Sequence, residues 1–242
     1  MDWFKWARGF AVRTWGGELP NQERLAEALY EAARDMDAGK AGKLIEAGAL
    51  GTHKGWAGRD PLIAAMSECS EHAERMALVL MKVCDPSGAD SNGRTALMAS
   101  IGEPSIQRAR PLNHSGNENP WCPAFWTLLD WSDLSQGRGF AALHVACRAG
   151  WDKAAQALSD RLDWSEQEAY VSKALASALE FAPELAMDWA SRGLGASKNW
   201  SEASMASESV KAQAQKALAL RESVDLNREV ALASESSDAH RL

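Results

Sequence analysis

Apolar residues along the chain recur at helical spacing in short segments, and glycines and polar residues separate these segments. The clearest segment runs from Gly139 to Gly150 and reads GFAALHVACRAG, a glycine, a run of small and apolar residues, and a closing glycine. The same order appears around Leu62 and Leu97, with alanines at positions where two helices would approach closely. The pattern predicts short helices packed in pairs rather than β-strands.

These segments repeat with a nearly constant period. One leucine near the start of each first helix marks the register, at positions 29, 62, 97, 143 and 175, so that the spacings are 33, 35, 46 and 32 residues. One short helix pair cannot bury its own apolar face, so neighbouring pairs must stack into a continuous core. The one long spacing contains residues 104–123, where prolines and asparagines predict a loop insertion.

The period near 33 and the Leu143-His144-x-Ala146 core resemble the ankyrin repeat, a β-turn followed by two antiparallel helices. Pro61 and Thr95 keep two further positions of the family's Thr-Pro-Leu-His signature. The resemblance covers residues 25 to about 194 and implies an all-α solenoid of five degenerate helix pairs. It also implies that the turns and the outer side of the first helices form a concave surface that binds a partner.

The chain outside the repeats predicts two further segments. Residues 1–20 are expected to form an N-terminal capping helix on a repeat domain over 21–195, and residues 196–242 a helical or partly disordered tail. In residues 1–20, Trp3, Trp6 and Phe10 share one helical face. That face either covers the first repeat or anchors the chain at a membrane interface, and its short length with only three cations favours the cap.

The 104–123 insertion has two interpretations that the sequence leaves open. Arg108, Arg110, His114 and Trp121 would suit partner binding, and long loops in compact domains are often functional. The insertion is equally compatible with a tolerated surface loop, because the entropic cost of closing a loop grows slowly with its length.

Composition narrows the function classes. The 242 residues are 46% hydrophobic and 24% charged, as expected for a packed core, and a net charge of −7 with pI near 5.3 disfavours binding to nucleic acid. Four widely spaced cysteines without a CxxC motif suit reduced thiols, and no apolar run approaches a membrane span. We therefore expect a cytoplasmic protein, and the high Ala and Trp content suggests a bacterial or phage origin.

The sequence carries no catalytic constellation. His144 and Cys147 stand three residues apart, as do Cys69 and His72, but neither pair has a second pair at zinc-site spacing. There is no GxSxG, no P-loop and no GxGxxG after a strand. We expect no catalytic residue, no metal and no cofactor.

Counting from the register leucines places a set of basic and aromatic residues on the turns and at the ends of the first helices. These candidate partner-binding residues are Trp56, Arg59, Asn92, Arg94, Arg138, Phe140, Arg148 and Tyr170. Arg and aromatic residues are enriched at binding hot spots, although a basic residue at such a turn can also serve local hydrogen bonds.

The favoured function is therefore a monomeric, non-catalytic adaptor or inhibitor that binds another protein, with a bacterial or phage effector as a narrower form of the hypothesis. The alternative function is a peripheral membrane docking platform, anchored by the Trp-rich N-terminal helix. The sequence does not identify the partner protein.

Overall fold

The computed structural model of the chain describes residues 21–68, 72–102, 122–165, 168–203 and 208–239. These ranges contain twelve α-helices, and none of their residues lies in a β-strand; an isolated antiparallel bridge joins Ala89 to Thr95. The all-α class predicted from the sequence is confirmed. The capping helix predicted for residues 1–20 and nearly all of the 104–123 insertion lie outside the described residues.

The chain divides into two compact units, one ending at Asp133 and the other beginning at Leu134. The division lies between the predicted third and fourth helix pairs, inside the 21–195 span.

The described part of unit 1 contains three helix pairs arranged in two layers. The helices are α1 (Gln22–Arg34), α2 (Ala38–Glu46), α3 (Pro61–Glu68), α4 (Ala73–Leu80), α5 (Ala96–Ile101) and α6 (Ala124–Trp131). Within each pair the two helices pack together, while α1, α3 and α5 pack in succession, as do α2, α4 and α6. The register leucines Leu29, Leu62 and Leu97 are buried between these helices.

Side chains at the helix starts explain why these helices begin where they do. Asn21 accepts a hydrogen bond from the backbone N–H of Arg24 at the start of α1, and Asp37 accepts one from Lys40 at the start of α2. Such N-caps satisfy backbone donors that have no partner within the helix.

Unit 2 contains two helix pairs and two further helices. They are α7 (Arg138–Ala149), α8 (Asp152–Ser159), α9 (Glu168–Phe181), α10 (Pro183–Ser191), α11 (Ser197–Ala203) and α12 (Glu208–Ala239). Helix α9 is central, since it packs against α7, α10, α11 and α12. The core of unit 2 includes Leu143 and Leu175 together with the indoles of Trp189 and Trp200.

The predicted tail contributes α11 and α12, so its described part is helical. Ala214 and Ala217 of α12 are buried, whereas Leu226 and Val230 are exposed. Ala214 and Ala217 therefore belong to the core of unit 2, and residues 226–230 do not.

Candidate functional site

Two loops of unit 1 have the same local construction. Gly58 and Gly93 adopt φ of 70° and 75°, a conformation that favours glycine, directly before Arg59 and Arg94. Two residues after each glycine stands a helix cap. Asp60 Oδ1 accepts from Ile63 N at 2.8 Å, and Thr95 Oγ1 accepts from Met98 N at 3.3 Å.

Hydrogen bonds join these two loops to each other. The backbone N–H and the hydroxyl of Ser91 both donate to the carbonyl of Ala57, at 2.9 and 2.6 Å. Within the second loop, Asp90 Oδ1 accepts from the backbone N–H groups of Asn92 and Arg94, at 2.8 and 3.0 Å. We call residues 54–60 and 90–95 together the turn surface of unit 1.

Trp56 is a large, exposed aromatic residue on the turn surface. It is the first residue of a 3-10 turn over Trp56–Gly58, and it is 78% exposed. The guanidinium carbon of Arg59 lies 5.2 Å from the centroid of its indole, within the range of a cation–π contact. The preceding residue, Gly55, lies with its backbone against the ring of Tyr30, so that a Cβ at position 55 would clash with that ring. The contact with Arg59 therefore favours one orientation of the indole, although the ring faces solvent.

Arg59 is less exposed than its position in the turn predicts. Only 20% of its side chain is accessible, and its Nε lies 3.7 Å from Oδ2 of Asp90, whose side chain is fully buried. Neither of these two atoms has a hydrogen-bond partner, since 3.7 Å exceeds the length of an N–H···O hydrogen bond. Arg59 therefore pairs with a buried charge and stacks on an exposed ring at the same time.

The other candidates of unit 1 complete this surface. Asn92 is exposed and Arg94 is half-buried. Trp56, Arg59, Asn92 and Arg94 consequently belong to two loops that hydrogen bonds hold together. Asp90 and Tyr30 carry no local signal in the sequence, because their roles depend on residues about 30 positions away.

The candidates of unit 2 are spread along helix α7 and its neighbour. Arg138 is the first residue of α7 and is half-buried, whereas Arg148 is exposed and lies about 15 Å further along the helix. The Arg148 guanidinium carbon is 5.9 Å from the ring centroid of Phe181. Tyr170 is 40% exposed and its ring lies against Gly137. Arg138 and Arg148 thus stand at opposite ends of α7.

The prediction that Phe140 lies on a partner-binding surface is wrong. Counting from Leu143 places it on an exposed turn, but it lies inside α7 and is 1% exposed. Its ring packs edge-on against Trp164 with centroids 5.3 Å apart, and Trp164 in turn contacts Trp189. Phe140 is a core residue and does not belong to a binding surface.

His144 and Cys147 are engaged in packing, while Cys69 lies outside the described residues. His144 Nδ1 lies 2.5 Å from the hydroxyl of Ser177 on α9, and burial, helped by Lys173 and Arg148, lowers the pKa of His144. Cys147 is buried, and burial raises its pKa to about 12. Among the described residues, no three His, Cys, Asp or Glu side chains gather as metal ligands would.

No protein-family model matches this chain, and no curated protein matches it. Within the ranges that the structure describes, no helix has the length and apolar character needed to cross a bilayer.

Proposed function

We propose that this chain is a non-catalytic protein-binding module of the ankyrin-repeat type, whose partner docks on the turn surface of unit 1. The observation that carries the proposal is the environment of Trp56, which is 78% exposed and whose indole is in cation–π contact with Arg59.

An exposed but ordered indole is suited to binding. A tryptophan buries a large area when a partner covers it, and Trp and Arg are the residue types most enriched among binding hot spots. Because the contacts to Arg59 already hold the ring, little side-chain entropy is lost on docking. Asn92 is exposed on the neighbouring loop and supplies an amide for polar contacts with a partner.

Several features support the ankyrin-like character of the proposal. The helices of unit 1 form pairs in two layers, and the loops before α3 and α5 share a glycine with positive φ and a side-chain cap, 35 residues apart. In ankyrin-like stacks such loops lie at the edge of the binding face.

The environment of the thiols supports a function without nucleophilic catalysis. Burial raises the pKa of both Cys84 and Cys147 to about 12, so these two thiols stay protonated at neutral pH. A catalytic thiol needs the opposite shift.

The proposal is tested by affinity capture with the full-length chain, comparing wild type with Trp56→Ala and Trp131→Ala. Trp131 is 66% exposed on α6 of the same unit, so its variant removes another largely exposed indole elsewhere. If Trp56 is a hot-spot residue, Trp56→Ala should lower the affinity for the partner by about thirtyfold or more, so that the partner is no longer captured. Trp131→Ala should still capture the partner. A partner that binds Trp56→Ala as tightly as wild type would exclude the turn surface as its site.

A further inference from the structure

We infer that the partner presents an acidic segment, in which a carboxylate meets the Arg59 guanidinium while a neighbouring apolar side chain covers Trp56. This inference rests on the proposed docking at the turn surface and specifies the chemistry of the partner.

The ion pairs of the turn surface are oriented with their cations toward solvent. The side chain of Lys54 is 50% exposed and that of its partner Asp60 is 5% exposed, with Nζ and Oδ2 3.5 Å apart. Arg59 and Asp90 have the same arrangement, at 20% and 0% exposure. In both pairs the positive group is therefore the one that an approaching partner meets.

The two carboxylates are held inward by the backbone. Asp60 accepts from Ile63 N, and Asp90 accepts from the backbone N–H groups of Asn92 and Arg94. Turning either carboxylate outward would leave these donors without a partner. The turn surface thus offers positive charge on a chain whose net charge is −7, and charge complementarity selects a negatively charged partner.

The guanidinium of Arg59 retains donors for such a carboxylate. Its contacts are the Trp56 ring and the 3.7 Å approach of Nε to Asp90, and it makes no hydrogen bond to any residue that the structure describes. The planar fork of an arginine binds a carboxylate through two parallel hydrogen bonds. A carboxylate bound to Arg59 would lie next to the exposed indole of Trp56. The partner is therefore expected to present an apolar side chain beside its acidic residue.

Removing Arg59 alone would leave the buried charge of Asp90 unpaired and destabilise the protein. A loss of binding in that variant could then not be separated from a loss of stability. The informative variant is therefore the double substitution Arg59→Gln/Asp90→Asn, because an asparagine Oδ1 can still accept from the two backbone donors. Its matched control is Asp90→Asn alone, which keeps the guanidinium and removes its internal counter-charge.

The probe is a library of random peptides displayed on phage and selected on the immobilised full-length chain. We expect selected peptides to be enriched in Asp or Glu next to apolar residues. A synthetic peptide from this set is then titrated against wild type, Trp56→Ala, Asp90→Asn and the double variant, with circular dichroism confirming that each is folded. The double variant should bind about two- to fivefold more weakly, the scale of one exposed charge pair, while Asp90→Asn should bind as tightly as wild type or more tightly.

The outcomes separate this inference from the proposed function. Peptides that require Trp56 but show no acidic enrichment, or bind the double variant as well as wild type, would overturn the acidic partner and leave the docking site intact. If no selected peptide is affected by Trp56→Ala, both the inference and the proposed docking site are wrong.

Discussion

The guanidinium carbon of Arg59 lies 5.2 Å from the centre of the Trp56 indole. Through this contact an almost fully exposed ring is connected to the interior, because the same guanidinium pairs with Asp90, whose side chain is completely buried. Asp90 in turn holds the second loop by accepting from two backbone N–H groups. The two loops of the turn surface are therefore coupled through one arginine.

Substitution of Trp56 should affect binding without affecting stability. Trp56→Ala removes a 78% exposed ring, so we expect the free energy of unfolding of unit 1 to fall by less than about 1 kcal/mol, the scale of an exposed cation–π contact. Leu62→Ala in the same unit removes a fully buried side chain and should cost about 2–5 kcal/mol. Urea denaturation followed by circular dichroism measures both. Equal losses in the two variants would show that Trp56 is part of the core.

A side chain at Gly55 should force the buried ring of Tyr30 to move. A Cβ at this position would meet the ring of Tyr30, so Gly55→Ala should destabilise unit 1 by about 1–3 kcal/mol, as overpacking does. Gly42 in helix α2 has no atom within 4 Å of where a Cβ would stand. Gly42→Ala is the matched control and should stabilise by about 0.4–1 kcal/mol through helix propensity and loss of unfolded-state entropy. Thermal denaturation should therefore move the two melting temperatures in opposite directions.

The stability of unit 2 should fall in mild acid through His144. Burial, and then the charges of Lys173 and Arg148, lower the folded-state pKa of His144 below its ordinary value of 6.5. The unfolded chain therefore takes up this proton first, and the stabilisation present above pH 6.5 is lost as the pH falls through the folded-state pKa. We expect wild type to lose more unfolding free energy than His144→Asn between pH 7.5 and pH 5.

The carboxylates titrate in both proteins, so the difference between the two pH profiles isolates the histidine. As a second variant, Lys173→Gln removes one of the neighbouring cations and should raise the pKa of His144, as followed by its imidazole proton signals. Parallel pH profiles for wild type and His144→Asn would contradict the assignment.

The buried thiols should be unreactive in the folded protein. Burial is the main cause that raises the pKa of Cys84 and Cys147 from 9.0 to about 12, with smaller effects from Asp60 and Asp152. At pH 8 their thiolate fraction is then roughly a thousandfold below that of an unperturbed thiol, and the thiolate is the reactive species. Mass spectrometry of peptides after iodoacetamide treatment should find these two residues alkylated in urea but not in buffer.

The same shift has a consequence for stability in alkali. Because the folded-state pKa lies above the unfolded-state value, the stabilisation is complete below pH 9 and declines as the pH rises toward 12. Cys147→Ala should show a shallower loss of stability over this range than wild type. Rapid alkylation of Cys147 in native buffer would show instead that its side chain is accessible.

Much of the helical organisation was predictable from local pattern. The five register leucines all lie in helices and are all buried, because apolar residues at a period of 3.6 can be covered only on one helix face. Phe140 shows the limit of this argument. Its distance from Leu143 suggests a turn, but α7 begins at Arg138, where Gly139 lies close against Leu134 and Leu162. The burial of Phe140 in that helix depends on Trp164, which lies 24 positions further along the chain.

The all-α class, the pairing of helices and the position of Trp56 on a turn follow from the amino-acid sequence, because hydrophobic periodicity and glycines at the loops indicate them. The three-dimensional structure was needed to show that Arg59 pairs with Asp90, that Gly55 lies on Tyr30, and that the chain divides after Asp133. The difference lies in how far apart along the chain the interacting residues are. Periodicity reports which face of a helix is apolar, whereas the partner of a charge or a ring is set by contacts between residues about 25 to 31 positions apart, which no local pattern encodes.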